Sequence, residues 1–455
     1  MSLIDDILSR ENLNRAFKRV KANIGCAGID NMPVSELKEY IMENRELIIT
    51  SIREKKYKPQ PVKRVYIPKA DGKQRPLGIP TAIDRVIQQA VAQQFSIIYE
   101  PIFSEYSYGF RPNRDCHKAM AKVLEYLNEG YEWIVDFDIE KFFDTVNQDK
   151  LISILREQVK EDITLNLVRK FLKAGVMENG LTKSTEEGMP QGGPLSPILS
   201  NIYLDKLDKE LESRGLRFVR YADDFIILVK SEKAAERVMA SVTSWVERKL
   251  FLKVSATKTK VTRPANSKFL GFTFLKDSSK WECKPAKDRI VKFEKKIKDY
   301  LCRRKAIART LAETFTKLNQ IIRGWINYFK IGRMKQNLKE KLGPWVRHKI
   351  RVVILKQWKK PKTIYTNLMK INLRNNNGFD EESIFKVANS RLGWYKRSGM
   401  DVVNFILSPK VLETAKGDRP ALINPLAYYS KKFEIYLESR IRVPYVRCGE
   451  RGENK

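Results

Sequence analysis

Histidine is nearly missing from this chain: His117 and His348 are the only two in 455 residues. That excludes a centre built on several imidazoles, and with it the common zinc-hydrolase motifs and an HNH-type nuclease. The five cysteines (Cys26, Cys116, Cys283, Cys302 and Cys448) are scattered, odd in number and without a CxxC pair. They read as free thiols in a reducing compartment, not as a disulfide or zinc framework. No apolar run approaches the ~20 residues that a membrane-crossing helix needs. The amphipathic, acid-containing start MSLIDDILSRENLNRAF resembles neither a signal peptide nor a transit peptide. Cytoplasmic residence without a membrane partner is therefore expected. Glycine and proline, at 22 and 19 residues, are too few for a fibrous or disordered chain. Acid is scarce against base: 54 Asp and Glu face 87 Lys and Arg, a formal net charge of +33. A field of that size selects a polyanion, nucleic acid before any other.

The hydrophobic fraction, 42%, supports real cores, and the length suits two or three domains. Residues 1 to 60 read as helices broken at Gly25 to Gly28. Val62 to Ile67, then Asp71-Gly72, read as a hairpin. Thr81 to Asp84 caps a helix carrying Val86, Ile87, Ala90, Val91 and Phe95. Residues 147 to about 175 look helical, and Leu252–Val261 with Phe269–Phe274 like a strand pair. The Gly188-Met-Pro-Gln-Gly-Gly-Pro194 loop leads into a helix closed by Gly215. Between Lys284 and Lys370, 26 Lys and Arg stand against 5 Asp and Glu. Two amphipathic helices are expected there, one over Leu311 to Phe329 and one over Val346 to Trp358. Gly324, inside the first, costs about 1 kcal/mol against Ala, and a close backbone neighbour is its expected reason.

Chemistry concentrates at Tyr221-Ala-Asp-Asp224, between the strand-like runs Leu216–Arg220 and Phe225–Val229. Adjacent carboxylates at a hairpin tip repel unless a cation or donor cluster neutralises them. A lone Asp-Asp reads as a solvated turn. Here the flanks are apolar, and the alternating run Trp133 to Ile139 delivers a further carboxylate, Asp138. Carboxylates from neighbouring strands suit a pair of Mg²⁺ ions, with Mn²⁺ as a substitute, in nucleotidyl transfer.

With these residues in place the chain resembles a bacterial group II intron reverse transcriptase (maturase) of the endonuclease-lacking, group IIC-like kind. The motifs run in order: Tyr57-Lys-Pro-Gln-Pro61, Ile67 to Pro80, Tyr108-Gly-Phe-Arg-Pro112, Asp138 to Asp144, Gly188 to Pro197, Tyr221 to Asp224, Phe269-Leu-Gly-Phe272 and Ile322 to Phe329. The resemblance implies an α+β right-hand polymerase: fingers, a palm with an antiparallel sheet, a helical thumb and a basic C-terminal region. It implies an N-terminal extension over 1–60, fingers and palm over 61–285, a thumb (maturase X region) over 286–360, and a DNA-binding region over 361–455. Asp138, Asp223 and Asp224 are the implied catalytic metal ligands, with the Ile139 carbonyl as a backbone ligand. Lys69, Arg75, Arg111, Phe143 and Gln191 are the implied nucleotide contacts, Phe143 as the bulky gate under the sugar. Arg323, Lys330, Arg333 and Lys335 are the candidate RNA contacts. The implied partners are an RNA template, a DNA primer, deoxynucleoside triphosphates, group II intron RNA and target DNA, in the cytoplasm of a bacterium. Two other readings stay open: a non-catalytic RNA-binding splicing factor, and a host-domesticated reverse transcriptase.

Overall fold

The computed structural model describes residues 2–68, 72, 74–302 and 306–441. It divides into two units, Met1–Leu270 and Gly271–Lys455.

The first unit opens with three helices, α1 (Leu3–Leu8), α2 (Arg10–Ala22) and α3 (Leu37–Arg53). Ser2 and Ser9 cap the first two, each side chain accepting a main-chain N–H of the first turn. Strands β1 (Val62–Pro68) and β2 (Gln74–Ile79) pair antiparallel from Lys63 opposite Ile79 to Pro68 opposite Gln74, the hairpin expected around Asp71-Gly72. Gly72 has φ +81°, which glycine adopts without penalty. Helix α4 (Ala82–Tyr99) starts as the Thr81 signal predicts: the Thr81 hydroxyl accepts the Asp84 N–H, and Asp84 in turn accepts from Tyr57 and Gln60. Its apolar face, Val86 to Phe95, lies in the core of the unit.

Next come α5 (Cys116–Asn128), β3 (Trp133–Phe137), the short α6 (Phe142–Thr145), α7 (Gln148–Gln158) and α8 (Asp162–Leu172). The stretch expected to be helical over 147–175 is helical, in two pieces that meet at Val159-Lys160-Glu161. Strands β4 (Val176–Glu178) and β5 (Leu181–Lys183) extend the first sheet, in the order β2-β1-β4-β5. Then follow α9 (Ser196–Ser213), β6 (Arg217–Tyr221), β7 (Asp224–Val229), α10 (Glu232–Leu250) and β8 (Lys260–Thr262). The second sheet has the order β6-β7-β3-β8 and is antiparallel throughout.

The second unit begins with the hairpin β9 (Phe272–Asp277) and β10 (Lys280–Pro285). The strand pair expected from 252–274 is corrected here. β8 adds to β3 over three residue pairs, and β9 pairs with β10 over six. Helix α11 (Lys287–Tyr300) is followed by the helices Leu311–Phe329, Gly343–Trp358 and Pro361–Asn375. Thr310 and Glu313 form a reciprocal capping box at the first of these three. Shorter helices lead to Pro425–Ile441, which packs back on Leu311–Phe329. The buried Asn319 amide donates to the Ala421 carbonyl (2.8 Å) and accepts from the Ile423 N–H (2.9 Å), pinning that return. Trp325, half-buried, packs its ring on the buried Phe293 at 4.7 Å. The reason expected for Gly324 is overturned: it is exposed, and nothing lies within 4 Å of where a Cβ would stand.

Candidate active site

The register of the second sheet places the carboxylates. Phe137 pairs with Phe225 across β3 and β7, so one residue further on Asp138 faces Asp224. The two phenylalanine rings stack at 4.8 Å and 5° and close the apolar floor beneath that pair. Asp136, two residues earlier, lies opposite Ile226. Tyr221 pairs with Asp224 across the turn, which leaves Ala222 and Asp223 as the tip. Ala222 sits at φ +60°, a conformation an alanine adopts only under constraint.

That constraint is a buried network. The Arg220 guanidinium, fully buried, donates two bonds to the equally buried Asp208 carboxylate at 2.7 and 2.5 Å. Its third arm donates to Asn201 Oδ1 and to the Ala222 carbonyl, both at 3.0 Å. Asn201 passes its own amide on to the Gly109 carbonyl (2.8 Å). Gly109 packs so close to the turn that a Cβ there would come within 2.3 Å of the Ala222 nitrogen. The turn is therefore gripped from α9 on one side and from the Tyr108–Phe110 segment on the other.

The electrostatics follow from crowding. Burial, then the charges of Asp136, Asp223 and Asp138, push the Asp224 carboxyl up to about 7, although it keeps a solvent-open surface. Burial likewise lifts Asp136 to about 6, against the pull of Lys260, and raises Asp223, which Arg75 pulls back down. Asp138 turns its carboxylate to Lys258 Nζ at 2.9 Å. Among the described residues no three acidic or histidine side chains converge tightly enough to hold an ion as they stand. The donor set nonetheless fits a hard divalent cation: oxygen ligands only, with clustered negative charge that the surrounding cations offset in part. Ile139 is buried and bridged to Val254, so its backbone is fixed beside Asp138.

A neighbouring cleft of about 360 Å³ collects Phe143 and Gln191 with Arg64, Pro76 and Gly78. Gly188 makes Phe143's position possible. At φ +80° it lies against the Phe143 and Asp144 carbonyls, where a Cβ would come within 2.8 Å. The next residue, Met189, donates its N–H to the Phe143 carbonyl (2.7 Å). Gly192 allows an equally close approach to Gly78, whose N–H reaches the Gln191 carbonyl at 2.7 Å. The glycine-rich loop thus docks on β2, and Arg75, exposed on that strand, reaches Asp223 electrostatically.

Residues 67–274 match the reverse transcriptase (RNA-dependent DNA polymerase) family, and residues 290–372 match the group II intron maturase-specific domain. The group II intron-encoded protein LtrA of Lactococcus lactis subsp. cremoris is 33% identical over 380 residues, 63% of each chain. Protein YkfC of Escherichia coli K12 is 32% identical over 286 residues, 54% of this chain and 74% of that one. The chain belongs to the group II intron reverse transcriptase and maturase family. It spans a little under two thirds of the length of LtrA. A chain of a solved partial Cas6-RT-Cas1–Cas2 complex overlays at a TM-score of 0.35 and 24% identity, over 55% of this chain and 43% of that one, too loosely to bear on function.

Within this family member, one expected nucleotide contact is corrected. Arg111 is 2% exposed, and its N–H groups go to the Glu100 carboxylate and to the Ser104, Ser107 and Glu100 carbonyls. No donor is left for a triphosphate, so Arg111 braces the segment that precedes Gly109. Lys69 lies outside the described residues. In the second unit Arg323 and Lys335 are exposed and Lys330 is half-buried, while Arg333 is held by Asp277 and Glu282 of the hairpin. Sequence reasoning missed Arg220, Asp208 and Asn201. An arginine directly before the acidic turn, following the apolar pair Phe218-Val219, was the available signal.

Proposed function

We propose that this chain is an RNA-directed DNA polymerase of the right-hand type. In this reading 61–285 serves as fingers and palm, 286–360 as thumb, 361–455 as a DNA-binding region, and 1–60 as an N-terminal extension. The observation that carries it is the strand register setting Asp138 against Asp224, with Asp223 at the adjoining tip. Asp138, Asp223, Asp224 and the Ile139 carbonyl would hold two Mg²⁺ ions, or Mn²⁺ in their place, which supply activation of the primer 3′-hydroxyl and charge neutralisation on the departing pyrophosphate. The residues of the chain do the rest. Arg75, with Lys69, binds the triphosphate and stabilises charge on its oxygens. Phe143 fills the space beneath the sugar, and Gln191 lies against the nucleotide from the opposite wall of the cleft. The exposed basic residues Arg323 and Lys335, with Lys330, neutralise RNA phosphates. Group II intron RNA and target DNA are the proposed macromolecular partners, in a bacterial cytoplasm. Among the described residues no helix is long and apolar enough to cross a membrane.

The purified chain should extend a DNA primer on an RNA template with deoxynucleotides in Mg²⁺ or Mn²⁺, and stop on chelation. No extension under either ion would reject the polymerase reading in favour of an RNA-binding splicing factor. Phe143→Ala should admit ribonucleotides, losing on the order of ten- to a hundredfold in sugar discrimination. Unchanged discrimination would remove the gate assignment.

A further inference from the structure

The second unit contains a cleft of about 410 Å³, within the range that accepts small organic groups, roughly 300–1,000 Å³. It lies between the C-terminal end of the helix Gly343–Trp358, the helix Pro361–Asn375 and the segment from Leu407 to Arg419. We propose that it holds one unpaired nucleotide of a single-stranded nucleic acid, a site separate from the acidic turn. The proposal rests on the nucleic-acid reading above.

The cleft has the two surfaces that an unpaired nucleotide requires. Ile354, Ile371, Leu407 and Val411 give it an apolar floor, and the half-buried Trp358 offers a ring for stacking. Lys370, Arg374, Lys410 and Lys416 form an exposed cationic rim, and the lining contains no Asp or Glu. The fifth cation, Arg419, is already committed. Its guanidinium donates to the Val411, Leu412 and Thr414 carbonyls and lies over Phe315 at 4.7 Å. It therefore braces one wall and leaves the rim cations to meet phosphates.

Three considerations favour a nucleotide over an acidic peptide. A nucleotide carries its charge at the phosphate end and a neutral, flat base at the other, as the cationic rim and apolar floor demand. The amides of Asn367 and Asn375, also in the lining, supply the donors and acceptors a base edge uses. The Trp358 carbonyl accepts the Lys360 N–H at 2.6 Å, across Lys359 at φ +55° and ψ −62°. This tight, strained turn fixes the end of the helix beside the ring, and such strain gathers at ligand clamps. A paired base has no exposed face to offer, so the ligand is single-stranded.

The test uses the full chain with short single strands carrying 5-iodouracil, one RNA and one DNA, irradiated and mapped by peptide mass. The expected result is a crosslink at Trp358, and the stronger strand names the source. Trp358→Phe should keep binding at this site, while Trp358→Ala should lose on the order of ten- to a hundredfold in occupancy. Lys370→Gln and Arg374→Gln should each lower the salt slope of binding by about one. Crosslinks confined to other residues would overturn the proposal. So would polyglutamate that competes at the site and is weakened equally by Trp358→Ala. Primer extension on an RNA template, run in parallel, separates the two readings. Extension without the Trp358 crosslink sinks only the cleft, and a crosslink without extension sinks only the polymerase.

Discussion

Asp223→Asn should abolish primer extension, by on the order of a thousandfold or more, while leaving the fold at least as stable as before. Removing a carboxylate that holds a catalytic ion forfeits several kcal/mol of transition-state stabilisation. Stability should move the other way. Burial and the neighbouring charge of Asp138 raise the Asp223 carboxyl, so the fold prefers its neutral form. A carboxyl whose pKa is raised by folding withdraws stability as pH climbs above its unfolded value. An amide of the same shape removes that penalty at neutral pH. The checks are extension rate and melting temperature, the latter without divalent ions. Surviving activity would detach Asp223 from catalysis. A large fall in melting temperature would mean that its carboxylate serves the turn's structure instead.

What the sequence disclosed and what it hid differ in range. Thr81, Asp71-Gly72 and the Leu311–Phe329 periodicity act within a few residues, and each produced the element it predicts. The acidic turn was readable because its flanks are so strongly apolar. The Asn179-Gly180 turn, with φ of +51° and +79°, escaped notice because the strands it joins have only three residues each. Strand partners were harder still: nothing near Lys260 or Phe272 says that one joins β3 and the other β10. Buried arginines were the hardest. Arg75 and Arg111 look alike in sequence, yet one is exposed on a strand and the other spends its donors on carbonyls. That distinction exists only after folding, when burial forces every guanidinium N–H to find a partner. Gly324 fails for the opposite reason: it lies on the uncovered face of its helix, where no neighbour needs the missing side chain.

Arg220→Met should unfold the first unit far more readily, by about 3–5 kcal/mol, because it strands the Asp208 carboxylate in the core without a partner. The companion exchange makes the prediction discriminating. Arg220→Met combined with Asp208→Leu removes both charges and refills the space with apolar atoms, and such swaps are often neutral or stabilising. Most of the lost stability should return in the double variant, seen as a recovered urea midpoint. Activity should not return with it. The Ala222 carbonyl and Asn201 lose their donor in either variant, and the left-handed Ala222 then has Gly109 alone to hold it. Asp223 and Asp224 would still be present but no longer fixed, and misplacement by about an ångström costs on the order of a hundredfold in rate. The turnover rate should therefore fall while affinity for the primer and template stays near wild type. If extension recovers along with the midpoint, the arginine serves stability only, and the turn is held by the glycine contact and the strand register.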